Sequence, residues 1–427
     1  MKTRAENQKT KTVAPPAGRG LVHGKEPDRE EATQSFVPVV LVEGTLNNLG
    51  VVRSLSTWRM PIYVLATSRN CAAGWSRFCT FVRVSSLKGR GLTDSLVALG
   101  GRLGNRPVLF LGGDQSVETV SAYRDEVEPL YRMNLPSAEM VRALSDKTLF
   151  QTLAEREGFP VPRAVSVIAK DDLKLLESLV PPLIIKPADK TLAINGLVER
   201  AVRVDTQMEA QACSTRMLER APGIIVQEWI DGPDNEIFFT LFSCDHHCNV
   251  IAMFTGRKLV CSPPRIGNTA ICVAAPEVAD ELRALALEFI SRVKYRGLGS
   301  LEFKRDSRTG RFMIIEPTVG RTDWQEEIAS LCGVNLPLLT YKAELGHPAA
   351  LNTEVTTSVA WRSSFEHRLP PGAVLPGTRM VDGFFRWSDP LPAIYYYGIE
   401  RFVSRVLRRG KNYYRRLRAA QKRRTDG

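Results

Sequence analysis

Residues 299–316 read GSLEFKRDSRTGRFMIIE. Apolar and polar residues alternate along the first half of this stretch, and the second half ends in an apolar run. The pattern predicts two β-strands joined by a tight turn. We expect a three-residue loop, Arg308–Gly310, with Gly310 in the left-handed conformation that this turn requires.

Counting outward from that loop sets two glutamates opposite each other. The predicted pairs are Ser307 with Arg311, Asp306 with Phe312, Lys304 with Ile314, and Glu302 with Glu316. Because opposed like charges destabilise a sheet, a cation is expected between the two carboxylates. Mg²⁺ is one candidate, since it prefers carboxylate and phosphate oxygens. A salt bridge from Lys304 or Arg321 is the alternative.

Two upstream segments predict a site for a phosphorylated ligand. Residues 182–187, PLIIKP, place Lys186 at the end of a buried strand, where an ammonium group needs an anion such as phosphate. Residues 224–234, IIVQEWIDGPD, predict a buried strand, a hinge and a tight turn. Backbone groups at the strand end could pair with a purine edge, while Trp229 and Ile230 offer apolar contact.

The amino-terminal third predicts a Rossmann-like α/β layer. An apolar run over 37–42, a helical stretch over 51–58 and strands over 62–66 and 108–111 occur in the order of a parallel sheet. The glycines do not form the G-x-G-x-x-G fingerprint, because Leu46 and Leu49 occupy glycine positions, which disfavours a nicotinamide dehydrogenase. The turn Gly112-Gly113-Asp114 follows the last strand, where ligands gather.

The middle of the chain predicts a helix followed by a strand-rich region. Helical periodicity runs over 137–156 and stops at Gly158. Further elements are expected as strands over 183–185, 224–226, 237–242, 250–254, 301–303 and 312–315, with a helix over 277–293. Cys244–Cys248 lies between two of these strands without a second pair of ligands, which disfavours a zinc site there.

Six short motifs in this region carry a family resemblance. They are Asp146–Lys147 (DK), Ile185–Pro187 (IKP), Gln227–Ile230 (QEWI), Phe254–Leu259 (FTGRKL), Leu301–Lys304 (LEFK) and Ile315–Thr318 (IEPT). In this order they resemble the ATP-grasp carboxylate–amine ligases, and within them the branch of predicted carboligases and D-aspartate ligases. The resemblance spans roughly residues 37–345.

The resemblance implies a role for each matched residue. Lys147 and Lys186 would hold the α- and β-phosphates of ATP, Gln227, Glu228, Trp229 and Ile230 the adenine, Asp234 the ribose, Arg257 or Lys258 the γ-phosphate, and Glu302 and Glu316 Mg²⁺. Thr318 stands where the family usually has Asn, and its hydroxyl can still ligate the metal or orient a metal-bound water. The segment Ala188–Asn195, in the position of the phosphate-covering flap, contains no glycine.

The implied activity is an ATP- and Mg²⁺-dependent ligation. A carboxylate attacks the γ-phosphate, and an amine captures the resulting acylphosphate to form an amide. Arg321 would clamp the carboxylate or acylphosphate; pairing with Glu302 or Asp323 is its alternative role. The rival functions are an enzyme that stops at acyl or carbamoyl phosphate or phosphorylates a hydroxyl, and a nucleotide-binding, membrane-associated scaffold with little turnover.

Length and charge divide the chain into five segments. The 427 residues exceed one hydrophobic core. We expect a flexible basic arm (1–35), the Rossmann-like domain (36–136), the ATP-grasp domain (137–345), a carboxyl-terminal cap (346–400) and a basic amphipathic tail (401–427). The tail holds eleven Lys/Arg and one acidic residue, so it supplies most of the net charge of +12.

These features also predict the surroundings of the protein. The near-neutral body argues against a specific nucleic-acid partner. The tail is predicted either to contact an anionic membrane surface or to form a helix that packs on the body with its arginines in solvent. Eight scattered cysteines without a disulfide framework or leader predict reduced thiols and a cytoplasmic location. Small carboxylate and amine substrates are the expected partners, and a homodimer is left open.

Overall fold

The computed structural model describes residues 36–188, 196–199, 201–347 and 355–400. The predicted basic arm, the flap segment after Ala188 and the basic tail therefore lie outside the described residues. The described chain from Val37 onward belongs to one compact unit. No helix among its described residues is long and apolar enough to span a membrane.

The first layer is a parallel sheet, as the amino-terminal sequence predicts. Its strands are β1 (Val39–Val42), β2 (Ile62–Ala66), β3 (Thr80–Arg83) and β4 (Val108–Leu111), in the order β3-β2-β1-β4. Its helices are α1 (Leu46–Ser56), α2 (Gly89–Leu103), α3 (Asp114–Ala122) and α4 (Arg124–Val127). Helix α1 begins five residues before the predicted start, because Thr45 caps it by accepting the Asn48 amide.

The predicted helix over 137–156 is two helices. They are α5 (Ala138–Ser145) and α6 (Lys147–Glu157). Asp146 between them has extended backbone, and its side chain accepts the amides of Thr148 and Leu149 at 2.8 and 2.9 Å. The continuous periodicity hid this break, because an N-cap interrupts the backbone without disturbing the apolar spacing. Helix α6 ends at Gly158 in the left-handed conformation, as expected.

A second, antiparallel sheet follows. Its strands are β5 (Ala164–Val167), β6 (Leu183–Pro187), β7 (Val202–Val204) and β8 (Ile224–Glu228), in the order β5-β8-β6-β7. A 3₁₀ segment (Lys170–Ser178) and helix α7 (Gln207–Leu218) cover one face. Leu176 and Met217 from these two elements pack with Ile185 and Val226 of the sheet in a separate small core.

The third sheet is the largest. Its seven strands are β9 (Ile237–Cys244), β10 (Val250–Ser262), β11 (Asn268–Ala274), β12 (Gly297–Arg305), β13 (Phe312–Val319), β14 (Val359–Arg362) and β15 (Arg379–Asp382), in the order β13-β12-β9-β10-β11-β14-β15. The remaining helices are α8 (Ala279–Val293), α9 (Glu327–Leu331), α10 (Leu336–Glu344) and α11 (Leu391–Ala393), which continues as a wider turn through Ile394–Glu400. Phe289 of α8 packs beside Tyr295 and Phe242 in the main core.

The hairpin formed by β12 and β13 confirms that Glu302 lies opposite Glu316. Its turn is one residue longer than predicted, because the amide of Asp306 donates to the carbonyl of Arg311 and leaves Ser307–Gly310 as the loop. Gly310 has φ +70°, as expected.

The longer turn shifts the pairing next to it. Arg305 rather than Asp306 lies opposite Phe312, and Lys304 lies opposite Met313 rather than Ile314. A bulge at Ile315 then restores the predicted register at the glutamates. The Asp306 carboxylate explains the longer turn, since it accepts the Arg308 amide and guanidinium at 3.0 and 3.1 Å.

Residues 359–389 contact both the large sheet and the Rossmann-like layer. Strand β14 pairs with β11, and Trp361 is 1 % exposed. Arg53 of α1 donates to Asp389 at 3.2 Å and to the carbonyls of Gly383 and Phe384, both at 2.7 Å. Arg53 and Asp389 are buried, so this ion pair holds the carboxyl-terminal residues against the Rossmann-like layer.

Replacing Arg53 by alanine should strongly destabilise the fold, because Asp389 stays buried without its cation. We expect the free energy of unfolding to fall by about 3–5 kcal/mol, measured by urea denaturation. Arg90→Ala, which removes an exposed ion pair with Glu126, is the matched control and should leave the urea midpoint unchanged. Equal midpoints for Arg53→Ala and wild type would contradict this role.

Candidate functional site

A cleft of about 610 Å³ lies where the three sheets meet. All but two of the residues predicted for the site line it. Those that do are Lys147, Lys186, Gln227, Glu228, Trp229, Ile230, Lys258, Glu302, Glu316, Thr318 and Arg321. These side chains come from segments up to 174 residues apart in sequence, from 147 to 321. The fold therefore gathers the separate motifs at one place.

Two lysines line the cleft, one on helix α6 and one on strand β6 of the antiparallel four-stranded sheet. Lys147 is the first residue of α6, directly after the cap at Asp146. Its position joins a side-chain cation to the partial positive charge of a helix amino terminus. Lys186 lies on β6, and its Nζ lies 3.3 Å from Oε1 of Gln227 on the adjacent strand. Both are placed to bind an anionic group.

The predicted hinge forms one wall of the cleft. The amide of Glu228 donates to the carbonyl of Arg163, and the amide of Trp229 donates to the carbonyl of Pro182, both at 2.9 Å. These bonds hold the chain where β8 ends. Trp229 and Ile230 are both buried, which supplies the apolar contact that the sequence predicts.

Lys304 lies against the same hinge. Its Nζ is 4.4 Å from the centre of the Trp229 ring, a cation–π contact. Burial lowers the pKa of Lys304, and the nearby carboxylates of Asp231 and Asp234 only partly oppose this effect. Lys304 thus adds a fourth ammonium group to the cleft, next to the predicted adenine position.

One of the facing glutamates, Glu302, is paired with a cation from β10, which is separated from β12 by β9 in the sheet. Lys258 of β10 donates to Oε2 of Glu302, and Lys258 is only 4 % exposed. The alternative prediction named Lys304 or Arg321 as the salt-bridge partner, and both are wrong because Lys258 reaches Glu302 instead. Burial and the charge of Glu316 raise the pKa of Glu302, against the opposing effect of Lys258.

Arg257 and Asp234 do not line the cleft. Arg257 alternates with Lys258 along β10, so it projects to the other face, where it pairs with Glu277 and lies over Phe238. Of the two cations suggested for the γ-phosphate, the structure places Lys258 in the cleft.

Asp234 is engaged in holding a loop. Its carboxylate accepts the amides of Cys261 and Arg265 at 2.8 and 2.6 Å. It therefore supports the connection between β10 and β11, and residues 265–269, from the end of this connection into β11, border the cleft.

Beyond Glu316, two polar side chains pair with aspartates that the sequence interpretation did not select for the site. The hydroxyl of Thr318 donates to Asp323 at 2.7 Å. Arg321 donates to Asp114 through Nε at 2.9 Å and Nη2 at 2.6 Å. Burial alone would lower the pKa of Arg321, but Asp114 and Asp323 outweigh it and raise the pKa.

Asp114 and Asn47 bring the Rossmann-like layer into the site. Asp114 follows Gly112 and Gly113 at the carboxyl end of β4, and both Asp114 and Gly112 line the cleft. Asn47, near the start of α1, donates to the carbonyl of Thr322 at 2.5 Å. The sequence carried a signal for Asp114, the glycine turn after a parallel strand, and it raised Asp323 only as an alternative partner of Arg321; the structure pairs Arg321 with Asp114 and Thr318 with Asp323.

The residues present fit a magnesium-bound triphosphate. Lys147, Lys186, Lys258 and Lys304 supply positive charge, and Glu302 and Glu316 face each other in the same cleft. Among the residues that the structure describes, no three His, Cys, Asp or Glu side chains form a metal cluster. Mg²⁺ does not require one, because it is commonly held by one or two carboxylates together with substrate phosphates.

Removing Lys258 should expose the electrostatic conflict between the glutamates. In metal-free buffer, Lys258→Met should lower the free energy of unfolding by about 3–5 kcal/mol, because Glu302 loses its buried cation. The double variant Lys258→Met/Glu302→Gln should recover much of that loss in urea denaturation. A double variant no more stable than Lys258→Met would argue against the pairing.

Comparison with known proteins agrees with this geometry. Residues 146–353, a little under half of the chain, match the family described as carbamoyl-phosphate synthase L chain, ATP binding domain. A comparison with curated protein sequences finds no match.

Several solved structures share the fold. The N5-carboxyaminoimidazole synthetase of Staphylococcus aureus is 13 % identical with a TM-score of 0.58, covering 74 % of this chain and 78 % of that one. The biotin carboxylase domain of Hydrogenobacter thermophilus 2-oxoglutarate carboxylase, solved with MgADP and bicarbonate, is 13 % identical with a TM-score of 0.60, covering 77 % and 74 %. The Campylobacter jejuni biotin carboxylase, solved as a β,γ-ATP complex, is 13 % identical with a TM-score of 0.59, covering 76 % and 75 %.

The likeness of these structures confirms the predicted fold class, and the family match covers the motifs from Lys147 to Thr318. The chain therefore has the ATP-grasp fold, and residues 146–353 are similar in sequence to the ATP-binding domain of the carbamoyl-phosphate synthase L chain.

Proposed function

We propose that this protein is an ATP- and Mg²⁺-dependent ligase that activates a carboxylate as an acylphosphate and joins it to an amine. The observation that carries the proposal is that four lysines and two facing glutamates line one cleft. An anionic nucleotide and a divalent cation together satisfy both sets of charges. The similar structures solved with MgADP and β,γ-ATP support the same ligand class.

The residues of the cleft can be assigned to the adenine, the phosphates and the metal ion of a bound nucleotide. Trp229 and Ile230 offer a buried apolar wall for the adenine. Lys147 and Lys186 are placed to bind the α- and β-phosphates, and Lys258 lies beside the glutamates, where the γ-phosphate would be held. Mg²⁺ bound by Glu302 and Glu316 would offset negative charge on the phosphate oxygens.

Arg321 is the residue best placed to bind the second substrate. It lies beyond the glutamates, between Asp323 and Asp114. Its guanidinium can orient a carboxylate for in-line attack, so that a new bond forms between the carboxylate oxygen and the γ-phosphorus while ADP leaves. An amine then attacks the acyl carbon, phosphate leaves with the bonding electrons, and the nitrogen loses a proton as the amide forms.

The comparisons favour ligation over the rival functions. Synthetase and carboxylase domains share the fold, and the described cleft keeps the charged groups of every predicted phosphate contact except Arg257. The finer assignment to the branch of predicted carboligases and D-aspartate ligases rests on the six motifs alone. We also propose a cytoplasmic location, which agrees with the eight free cysteines. The division of the chain into five segments and a homodimer are further proposals.

Replacing Glu316 by glutamine should abolish turnover without unfolding the chain. We expect ADP release in the presence of a carboxylate and an amine to fall about 100-fold or more, because metal-assisted charge stabilisation is lost. Glu288→Gln, an exposed change on α8, is the control and should leave the rate unaltered. Near-normal activity in Glu316→Gln would contradict the metal assignment.

Lys186→Ala should weaken nucleotide binding. Loss of a charge-assisted contact to phosphate lowers ATP affinity by about tenfold or more, measured by isothermal titration calorimetry. Lys342→Ala removes a lysine that lies over Trp58 outside the cleft and serves as the control. If both variants bind ATP as tightly as wild type, Lys186 has a structural role only.

A further inference from the structure

Trp324 is a second tryptophan in the lining of the cleft, besides Trp229 of the adenine wall. It lies in the loop between β13 and α9, three residues after Arg321. Trp324 is 37 % exposed, whereas the two residues that follow it, Gln325 and Glu326, are 2 % and 0 % exposed. A partly exposed indole in a cleft provides a surface for the apolar part of a ligand.

The loop that carries Trp324 is held on both sides of this residue. Before it, the carbonyl of Thr322 accepts Nδ2 of Asn47 at 2.5 Å, and the carboxylate of Asp323 accepts the Thr318 hydroxyl at 2.7 Å. After it, the amide two residues beyond Trp324 donates to the carbonyl of Asp323 at 3.0 Å. The indole is therefore presented to the cleft by a turn whose backbone is fixed by hydrogen bonds.

The hairpin of β12 and β13 separates Trp324 from the adenine wall. Lys304, next to the Trp229 ring, lies near the turn of this hairpin, and Glu302 lies two residues before it on β12, with both side chains in the cleft lining. Strand β13 runs from the turn past Glu316, opposite Glu302, and its far end leads into the loop of Trp324. The adenine wall and Trp324 therefore belong to opposite ends of the hairpin, with the predicted metal position between them.

Arg321 gives the same loop a group that binds carboxylates. A guanidinium has five N–H groups, and here two donate to Asp114 and one donates to the carbonyl of Thr322. The other N–H groups can donate to a carboxylate in the cleft. Arg321 and Trp324 together suit a ligand that joins a carboxylate to an apolar body.

We propose that Trp324 determines which carboxylic acid the protein accepts, by packing against an aromatic or other apolar group of the acid whose carboxylate is bound by Arg321. The inference rests on the proposed ligase function, which assigns the carboxylate substrate to Arg321. Contact with the indole removes apolar surface of both partners from water, so it favours acids with an apolar body. Acetate has no such body and gains nothing from the indole.

The test is calorimetric titration of the full chain, saturated with Mg²⁺ and a non-hydrolysable ATP analogue, with sodium phenylacetate and with sodium acetate. We expect phenylacetate to bind about tenfold more tightly than acetate or better. Trp324→Ala should remove most of this preference and leave the affinity for the ATP analogue unchanged, whereas Trp324→Phe should keep much of the preference. Trp387→Ala, which removes an 89 % exposed indole outside the cleft lining, is the control and should bind both acids as wild type does.

Three results would overturn the proposal. Undetectable binding of phenylacetate, or equal affinities of the wild type for the two acids, would show that the cleft does not select an apolar acid. A preference that Trp324→Ala retains would show that another surface makes the selection. Tighter binding of phenylethylamine than of phenylacetate would assign the indole to the amine substrate. Because the analogue is not hydrolysed, these affinities do not depend on turnover, and absence of ADP release from ATP would count against the ligase proposal alone.

Discussion

The site depends on two glutamates that one hairpin forces to face each other. Their repulsion in a partly buried setting is tolerable only with compensating positive charge. Lys258 supplies part of it from β10, and Lys147, Lys186 and Lys304 add positive charge to the same cleft. A magnesium-bound triphosphate would bring a cation to the glutamates and anionic oxygens to the lysines, which is why the charge arrangement favours this ligand over an isolated salt bridge.

The hairpin shows how much of such a site can be predicted from sequence. Alternating apolarity and Gly310 were enough to predict the turn and the pairing of Glu302 with Glu316. The strand pairs between the turn and these glutamates were predicted with a register that is wrong by one residue. The turn has one extra residue because of the hydrogen bonds made by Asp306, and the bulge at Ile315 then restores the predicted register. Register far from a turn was therefore right although register near it was wrong.

Other parts of the site lay beyond local pattern. Arg257 and Lys258 are adjacent and equally basic, and only the direction of β10 in the sheet decides which enters the cleft. Likewise, Asp234 accepts one amide from the end of β10 and one from the loop that follows, whose position depends on the pairing of β10 with β11. The partner Asp114 approaches Arg321 through the packing of separate layers, and these two residues are 207 positions apart. Asp323, by contrast, is only five residues from Thr318, and the chain reversal after β13 brings the two side chains together.

If the cleft transfers phosphate to a carboxylate and then ligates the acyl group to an amine, one carboxylate oxygen must end in the released phosphate. This can be measured by incubation with ATP, Mg²⁺, amines and a mixture of carboxylic acids labelled with heavy oxygen, followed by mass spectrometry of phosphate and products. We expect one labelled oxygen in the released phosphate, together with an amide, only when carboxylate and amine are both present. ADP release with unlabelled phosphate, or nucleotide binding without any turnover across the mixture, would contradict this mechanism.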